Sequence, residues 1–413
     1  MRKSMNDYQY HYGLKVRCYP SDKQKQIIEH NLNGSRFAYN EMVAIDRELY
    51  NLRKCKLYIK QVQNRIDYLI ERKESTKYLF GLRSWLNEFN VGTDVTSMAI
   101  RNYKAAWNMF IKVHTTGIPK FHKKQHSGSF QLPNRYSSKI TTPSLFNGNI
   151  KFIDNKHMNV SLIGHIRVSG SHKRIMVEHS NIRIGTLTVS KDAIGDYYIS
   201  LQLASDSPFV QTGKSTGDSI GIDLNTENFL TTSNGDVVEN PRYYRKNKKR
   251  LAKQQRILSR RHLRAKKEHR RLLDSKNYQK QRIIVAKLHN KVCNRRTNFL
   301  HETSTALIKN HDLVVAEELR SKNLLKNHAL AMSISDVGWG TFLQMLEYKA
   351  EMYGKAFIKV DPKYTTQTCS NCGYVMRGEE KLTISDRTWS CPNCNQYHTR
   401  DHNAAQNILA KAM

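Results

Sequence analysis

The sequence predicts a multidomain chain: an α/β domain, a small β-barrel and a helical bundle. Three observations predict it. The chain has 413 residues, a length that suggests two or three domains rather than one. Its texture changes twice, from helical periodicity to short alternating runs near residue 126, then to apolar strands interleaved with helical stretches near residue 218. Hydrophobic residues make up 39%, enough for cores, beside 68 Lys+Arg against 35 Asp+Glu and a formal net charge of +33. A chain this positive repels itself unless it meets a polyanion, so nucleic acid is the expected partner. No apolar run approaches the ~20 residues a bilayer needs. Residues 1–10 lack an apolar h-region, so no membrane partner and a cytoplasmic location are expected.

Residues 12–19 alternate loosely and read as a strand stopped by Pro20. Ser21 with Gln24 forms a capping box that opens a helix through Ile27, Ile28 and Leu32. Helical patterning is expected to continue to about Phe121, with Trp85, Leu86, Met98, Ile100, Trp107 and Phe110 as core points. From residue 128 to about 210, runs such as 182–189 and 197–203 have period two and suggest the barrel. The strand at 12–19 is expected to join it, which makes the helical block an insertion.

A polar linker over 211–218 leads to an apolar strand at 219–224. Two further β runs flank Asn234-Gly235, a strong hairpin signal. Residues 242–296 hold 22 Lys/Arg against two acids, Glu268 and Asp274. Leu251, Leu258, Leu272, Ile284, Leu288 and Val292 run through this stretch, so it reads as helical. A solvated face would explain a modest run; a surplus this large favours a phosphate-binding surface. A strand at 312–317, a helix at 336–353 closed by Gly354, a strand at 356–361 ended by Pro362 and a helix from Asp401 complete the order.

Cys18, Cys55 and Cys293 are isolated and read as simple buried thiols in a reducing compartment. The other four cysteines form Cys369-x-x-Cys372 and Cys391-x-x-Cys394, separated by room for one hairpin. Four thiolates make a closed tetrahedral site with Zn–S of about 2.3 Å, so a structural zinc is expected. His398 lies near but is surplus to four ligands.

Asp223 sits inside an apolar strand, where an unpaired acid is costly. Glu317 ends another strand and Asp401 opens the last helix. Each has an ordinary reading: a turn, an exposed strand end, a helix N-cap. Jointly, three acids on one α/β unit can converge on divalent cations, and two Mg²⁺ about 4 Å apart would activate a water and stabilise a leaving 3′ oxygen. The order strand with Asp, strand, Asn-Gly turn, strand, strand with Glu, helix with Asp is that of a ribonuclease H-like sheet.

Four stretches resemble the RuvC and zinc-ribbon motifs of the TnpB family: Ile220-Gly221-Ile222-Asp223-Leu224, Val314-Val315-Ala316-Glu317-Glu318-Leu319, residues 361–373 and Asp401-His402-Asn403-Ala404-Ala405-Gln406-Asn407-Ile408. Residues 335–340, 19–20, 35–40 and 119–121 extend the resemblance over the whole chain. The family comprises transposon-encoded, RNA-guided DNA endonucleases, also called OrfB proteins, relatives of type V CRISPR effectors. The resemblance implies a wedge β-barrel (1–20 and 126–217), an inserted helical recognition lobe (21–125), a RuvC nuclease (218–365 and 398–413) and a zinc ribbon (366–397). It implies Asp223, Glu317 and Asp401 as the catalytic, magnesium-holding acids. It further implies a guide RNA from the transposon end, target double-stranded and single-stranded DNA, one monomer per guide and a nucleoid-associated prokaryotic setting. Lys15, Arg17, Arg36, Lys104, Lys120, Lys123, Lys248, Lys249, Arg250 and Arg400 are expected to face nucleic acid. The departures are Asn225 and Asn395, where the family usually has glycine. An RNA-guided binder that does not cut would need a broken triad, and a compact CRISPR effector would differ only in where its guide comes from. A ribosomal-type binder leaves the three acids unexplained.

Overall fold

A computed structural model describes residues 3–55, 59–74, 84–113, 115–178, 181–210, 213–318, 336–383 and 385–413. It divides into two units, Met1–Phe209 and Val210–Met413. Leu319, Ser335 and residues 211–212, used above, lie outside the described residues.

In the first unit, β1 (Tyr10–Tyr19) buries Leu14, Val16 and Cys18 and exposes Lys15 and Arg17. That period of two sets one face on a core. The unit's sheet runs β2 (Gly128–Pro133), β6 (Arg183–Lys191), β7 (Tyr197–Ser205), β1, β5 (Gly164–Ser169), β4 (His157–Val160) and β3 (Ile150–Phe152), every pair antiparallel. Its edges are bridged. Asn149 N donates to the Arg135 carbonyl at 3.0 Å, and Ile150 N donates to Asn134 Oδ1 at 2.9 Å. The sheet curls around Phe130, Ile150, Phe152, Ile166, Ile199 and Leu201.

The capping box forms as read: Ser21 N donates to Gln24 Oε1 at 2.9 Å and Gln24 N to Ser21 Oγ at 3.4 Å. It opens α1 (Asp22–Lys54), which packs with α2 (Lys60–Glu74) and α3 (Thr93–Lys112) around Ala38, Met42, Leu69, Leu86, Ile100 and Tyr103. Trp85, Trp107 and Phe110, expected in the core, are only half-buried. The helical stretch also stops earlier than its pattern suggests, at Lys112. Val113 turns extended there (φ -122, ψ 102), and its carbonyl accepts from Thr116 N at 2.9 Å and the Thr116 hydroxyl at 2.8 Å instead of from another helical turn. Cys18 is buried, but Cys55 ends α1 and is exposed, and so is Cys293 beside buried Val292. The buried-thiol reading fails for those two.

The second unit is built on a five-stranded sheet in the order β10 (Val237–Val238), β9 (Leu230–Thr232), β8 (Ser219–Leu224), β11 (Leu313–Glu317), β12 (Ala356–Val360). β8, β11 and β12 are parallel, and β9 and β10 antiparallel. The hairpin turns where expected, with Gly235 left-handed at φ +91. Two long helices, α4 (Tyr243–Lys267) and α5 (Lys276–Asn310), carry the basic stretch and meet at Leu251, Val285 and Leu288, while Ile284 is exposed. α4 lacks a cap of its own; the Asp336 carboxylate accepts from Tyr244 N at 2.9 Å and Arg245 N at 3.2 Å.

α5 also reaches the sheet. Its Leu300, Leu307 and Ile308 join Phe342 and Leu346 of α6 (Trp339–Tyr353) over Ile220, Ile222, Val314 and Ala316. Lys349 pins α6 to α5 through the His301 carbonyl and the Ser304 and Thr305 hydroxyls, and burial draws its pKa down to about 8. α7 (Arg400–Ala410) covers the opposite face, that of Gly221, Asp223 and Val315. A short hairpin, β13 (Thr388–Ser390) and β14 (Tyr397–Thr399), precedes it.

A β-carbon at Gly221 would lie 2.2 Å from the Ala405 carbonyl and 2.8 Å from Leu409 Cβ. Gly221→Ala should therefore destabilise the second unit by at least ~1–3 kcal/mol, the scale of forced overpacking. Denaturant unfolding checks this; an unchanged midpoint would contradict so close a contact.

Candidate functional site

Period two along β8 turns Ile222 into the core and Asp223 to the other face, toward α7. β11 runs parallel beside it, with Ala316 opposite Ile222, so Glu317 ends its strand next to Asp223. Asp401 stands in the first turn of α7, whose Ala404 and Ala405 are fully buried where the helix meets β8. All three acids line one cavity of about 370 Å³, with Asn225, Glu227, Trp339, Thr365, Arg387 and Arg400.

Asp223 is 8% exposed. Burial raises its pKa to about 8, the charges of Glu317 and Asp401 push the same way, and Arg400 and the Asn225 amide oppose them. Burial also raises Glu317, against the Thr365 hydroxyl, which donates to Oε1 at 2.5 Å. Among the described residues, three or more ligand atoms within 4.8 Å of one another occur only at the four cysteines, so the acids share a cavity without closing on a single point. Asp223 and Glu317 are thus desolvated, and Asp223 is repelled by its two neighbours, a situation that a divalent cation would relieve.

The rest of α7 fastens this arrangement. His402 Nε2 lies 3.0 Å from the Ser233 carbonyl in the β9–β10 turn. Asn403 Nδ2 donates to the Thr368 carbonyl at 2.8 Å, and Asn407 Nδ2 to those of Thr365 and Thr368 at 2.8 and 2.7 Å. Asn225 needs no glycine; its Oδ1 accepts from Asn228 N at 2.8 Å, and its backbone is not left-handed.

The four cysteines come together as the spacing predicts, with Sγ atoms of Cys369 and Cys394 3.7 Å apart and those of Cys372 and Cys391 3.6 Å apart. The knuckles match. Gly373 N donates to the Cys369 carbonyl and Asn395 N to that of Cys391, both at 2.9 Å, with φ +75 and +56. Asparagine tolerates that left-handed position, which explains how it replaces the usual glycine. The amides of Asn371 and Asn393 point at Cys394 and Cys372 sulfurs, and the Asn393 bond draws the Cys372 thiol below its ordinary range. Such a donor set fits a tetrahedral metal of the zinc type. Buried His398 has Nε2 3.1 Å from Cys369 Sγ, the place of a residue that steadies a ligand.

The basic residues named from sequence are scattered. In the first unit, Lys15 lies over the Tyr198 ring, and Arg17 pairs with Asp196 at 2.5 Å. Arg36 and Lys123 line a second cavity of about 600 Å³, while Lys104 and Lys120 are exposed outside it. In the second unit, Lys248, Lys249 and Arg250 are all exposed on α4, spread over about 200° of its circumference at 100° per residue. Arg400 alone enters the acidic cavity. Thr365 and Arg387 were not found as site residues from sequence; Thr365 lies in the 361–373 motif, which signals it only as part of the knuckle approach.

Three family models match: "Probable transposase" of the OrfB_IS605 group over 200–328, "Cas12f1-like, TNB domain" over 339–408, and an OrfB_IS605 "Helix-turn-helix domain" over 11–55. The chain is related to the OrfB, or TnpB, proteins. Its residues 11–55 are nonetheless strand β1 and the single helix α1. A Streptomyces pristinaespiralis protein named "Putative RNA-guided DNA endonuclease" is 39% identical over 55% of this chain, and the match spans about half (53%) of that relative's length. The Escherichia coli (strain K12) protein named "Putative RNA-guided DNA endonuclease InsQ" is 27% identical over 96% of this chain and 91% of its own length. Among solved structures, the fold resembles that in the cryo-EM structure of a Cas12f1-sgRNA-target DNA complex, with TM-score 0.56, 14% identity and coverage of 97% of this chain and 98% of that one.

A carboxyl whose folded-state pKa lies above its unfolded value leaves stability intact below the unfolded value and removes it as pH rises toward the folded one. For Asp223 that window runs from about 4 to about 8. In magnesium-free buffer, Asp223→Asn should melt close to the wild type at the acid end and increasingly above it toward pH 8. Parallel melting curves across that window would sink the electrostatic account of the cavity.

Proposed function

We propose that the chain is a transposon-associated RNA-guided DNA endonuclease, and that Asp223, Glu317 and Asp401 are its catalytic acids. One observation carries this reading: three acids from two parallel strands and a helix line one cavity, where burial and the charges of Glu317 and Asp401 push Asp223 toward its neutral form without a cation. The names of the relatives and the Cas12f1-like fold support it. The sheet order, with two antiparallel strands beside three parallel ones and the acids on β8, β11 and α7, suits a ribonuclease H-like (RuvC) nuclease.

Two magnesium ions would supply an activated water and stabilise the leaving 3′ oxygen of a phosphodiester. The chain's own residues supply the frame. The acids bind cations, and their spread over one cavity suits a pair of ions better than one. Arg400, and Arg387 paired with Glu227 at 2.8 Å on the cavity wall, place positive charge where a phosphate would enter. The four cysteines would hold one structural zinc, with the shell filled and no part in chemistry.

In this reading residues 1–20 and 126–217 form a wedge barrel and residues 21–125 a recognition lobe. Residues 218–365 and 398–413 form the nuclease, and 366–397 the ribbon. The partners are a guide RNA from the transposon end and target DNA as duplex and single strand, with one monomer per guide, in the nucleoid-associated cytoplasm of a prokaryote. The exposed basic faces of α4 and α5 are the natural seat for phosphates.

Changing the guide alone tests the function. Purified chain with its copurified RNA should cut DNA matching that RNA and switch targets when the guide is exchanged. Cutting that stays fixed or absent overturns the endonuclease reading, and guided binding without cutting selects the RNA-guided binder that does not cut. Asp223→Ala, Glu317→Ala and Asp401→Ala should each abolish magnesium-dependent cleavage and leave guided binding; wild-type cutting by any one removes that residue from the triad. Cys391→Ser should lose about one zinc per chain by elemental analysis and lower the melting temperature.

A further inference from the structure

Glu317 does not stand free in its cavity. Thr365, 2% exposed, donates to Glu317 Oε1 at 2.5 Å, and the Pro362 carbonyl lies 3.1 Å from the same hydroxyl. Thr365 is itself held from α7, because its carbonyl accepts from Asn407 Nδ2 at 2.8 Å. Farther along, Ser370 N, next to Cys369, donates to Asn403 Oδ1 at 2.8 Å, and the Ser370 hydroxyl to Gln406 Oε1 at 2.7 Å. Residues 365–370 are thus laced to α7 from Glu317 at one end to the cysteine knuckle at the other, and the same helix carries Asp401.

We propose that Thr365 is a positioning residue for Glu317: its hydroxyl fixes the carboxylate so that a divalent cation meets a formed ligand. This rests on the reading of Asp223, Glu317 and Asp401 as cation-holding acids. A free glutamate loses rotamer entropy on ordering, and a hydroxyl already holding one oxygen removes much of that loss from cation binding. Outer partners of metal-ligating side chains are typically worth 10–100-fold in affinity. Valine keeps the shape of threonine and deletes the donor; serine keeps the donor and deletes only the methyl.

The test counts Mn²⁺ bound to the full-length chain by electron paramagnetic resonance, without DNA, using Asp223→Ala as the blank. A magnesium titration of cleavage accompanies it. Thr365→Val should weaken Mn²⁺ binding about 10–100-fold and raise the magnesium needed for half-maximal cutting, with zinc content unchanged and the chain still folded at the assay temperature. Thr365→Ser should restore most of the affinity. Wild-type binding by Thr365→Val overturns the inference and leaves the acids' reading intact. So does a Thr365→Ser variant as weak as Thr365→Val, since packing of the methyl would then be the cause. If the wild-type chain binds no more Mn²⁺ than the blank, the cation reading itself fails.

Discussion

The closest constraint in the second unit is between a strand and a helix. The Ala405 carbonyl of α7 lies where a β-carbon of residue 221 would be, so only glycine lets the helix seat on β8 at this depth. Asp401 sits one turn before Ala405, and Asp223 two residues after Gly221. The contact therefore sets how near the helix acid comes to the strand acids. Ala404 and Ala405, with no side chain beyond Cβ, make the same close approach possible from the helix side.

What packing brings together, electrostatics opposes. Asp223 is desolvated and faces two further carboxylates, with Arg400 in partial opposition. The arrangement persists because the surrounding contacts over-determine it: an apolar sheet face packed on α5 and α6, and a helix pinned by asparagines to the neighbouring loop. A buried acid raised this far by its neighbours at one cavity marks a place suited to a positive charge.

The cysteine cluster belongs to the same construction. Its first knuckle runs directly from the segment that carries Thr365, and its second leads through β14 into α7. A metal there would close both ends of the segment between the last strand of the sheet and the helix that bears Asp401. The ribbon is thus mechanically continuous with the acids while its ligand shell takes no part in their chemistry.

Much of this was legible in sequence because it is local. The capping box at Ser21, the Gly354 stop, the Asn-Gly hairpin and the paired C-x-x-C knuckles each depend on residues a few positions apart. The apolar run around Asp223 announced a buried acid in the same way. The sequence reading went astray where tertiary context overrides pattern: helicity past Lys112, ended where Val113 turns extended; Trp107 and Phe110, half-exposed on an amphipathic face; and the exposed Cys55 and Cys293. Sequence alone determined the residue types, their order and the charge, since these depend only on covalent neighbours and composition. Only the tertiary structure decided that Gly221 admits α7, that Thr365 reaches Glu317 across 48 positions and that Arg400 enters the acidic cavity. Those are distances between side chains far apart in the chain, and they exist only once the cores have packed.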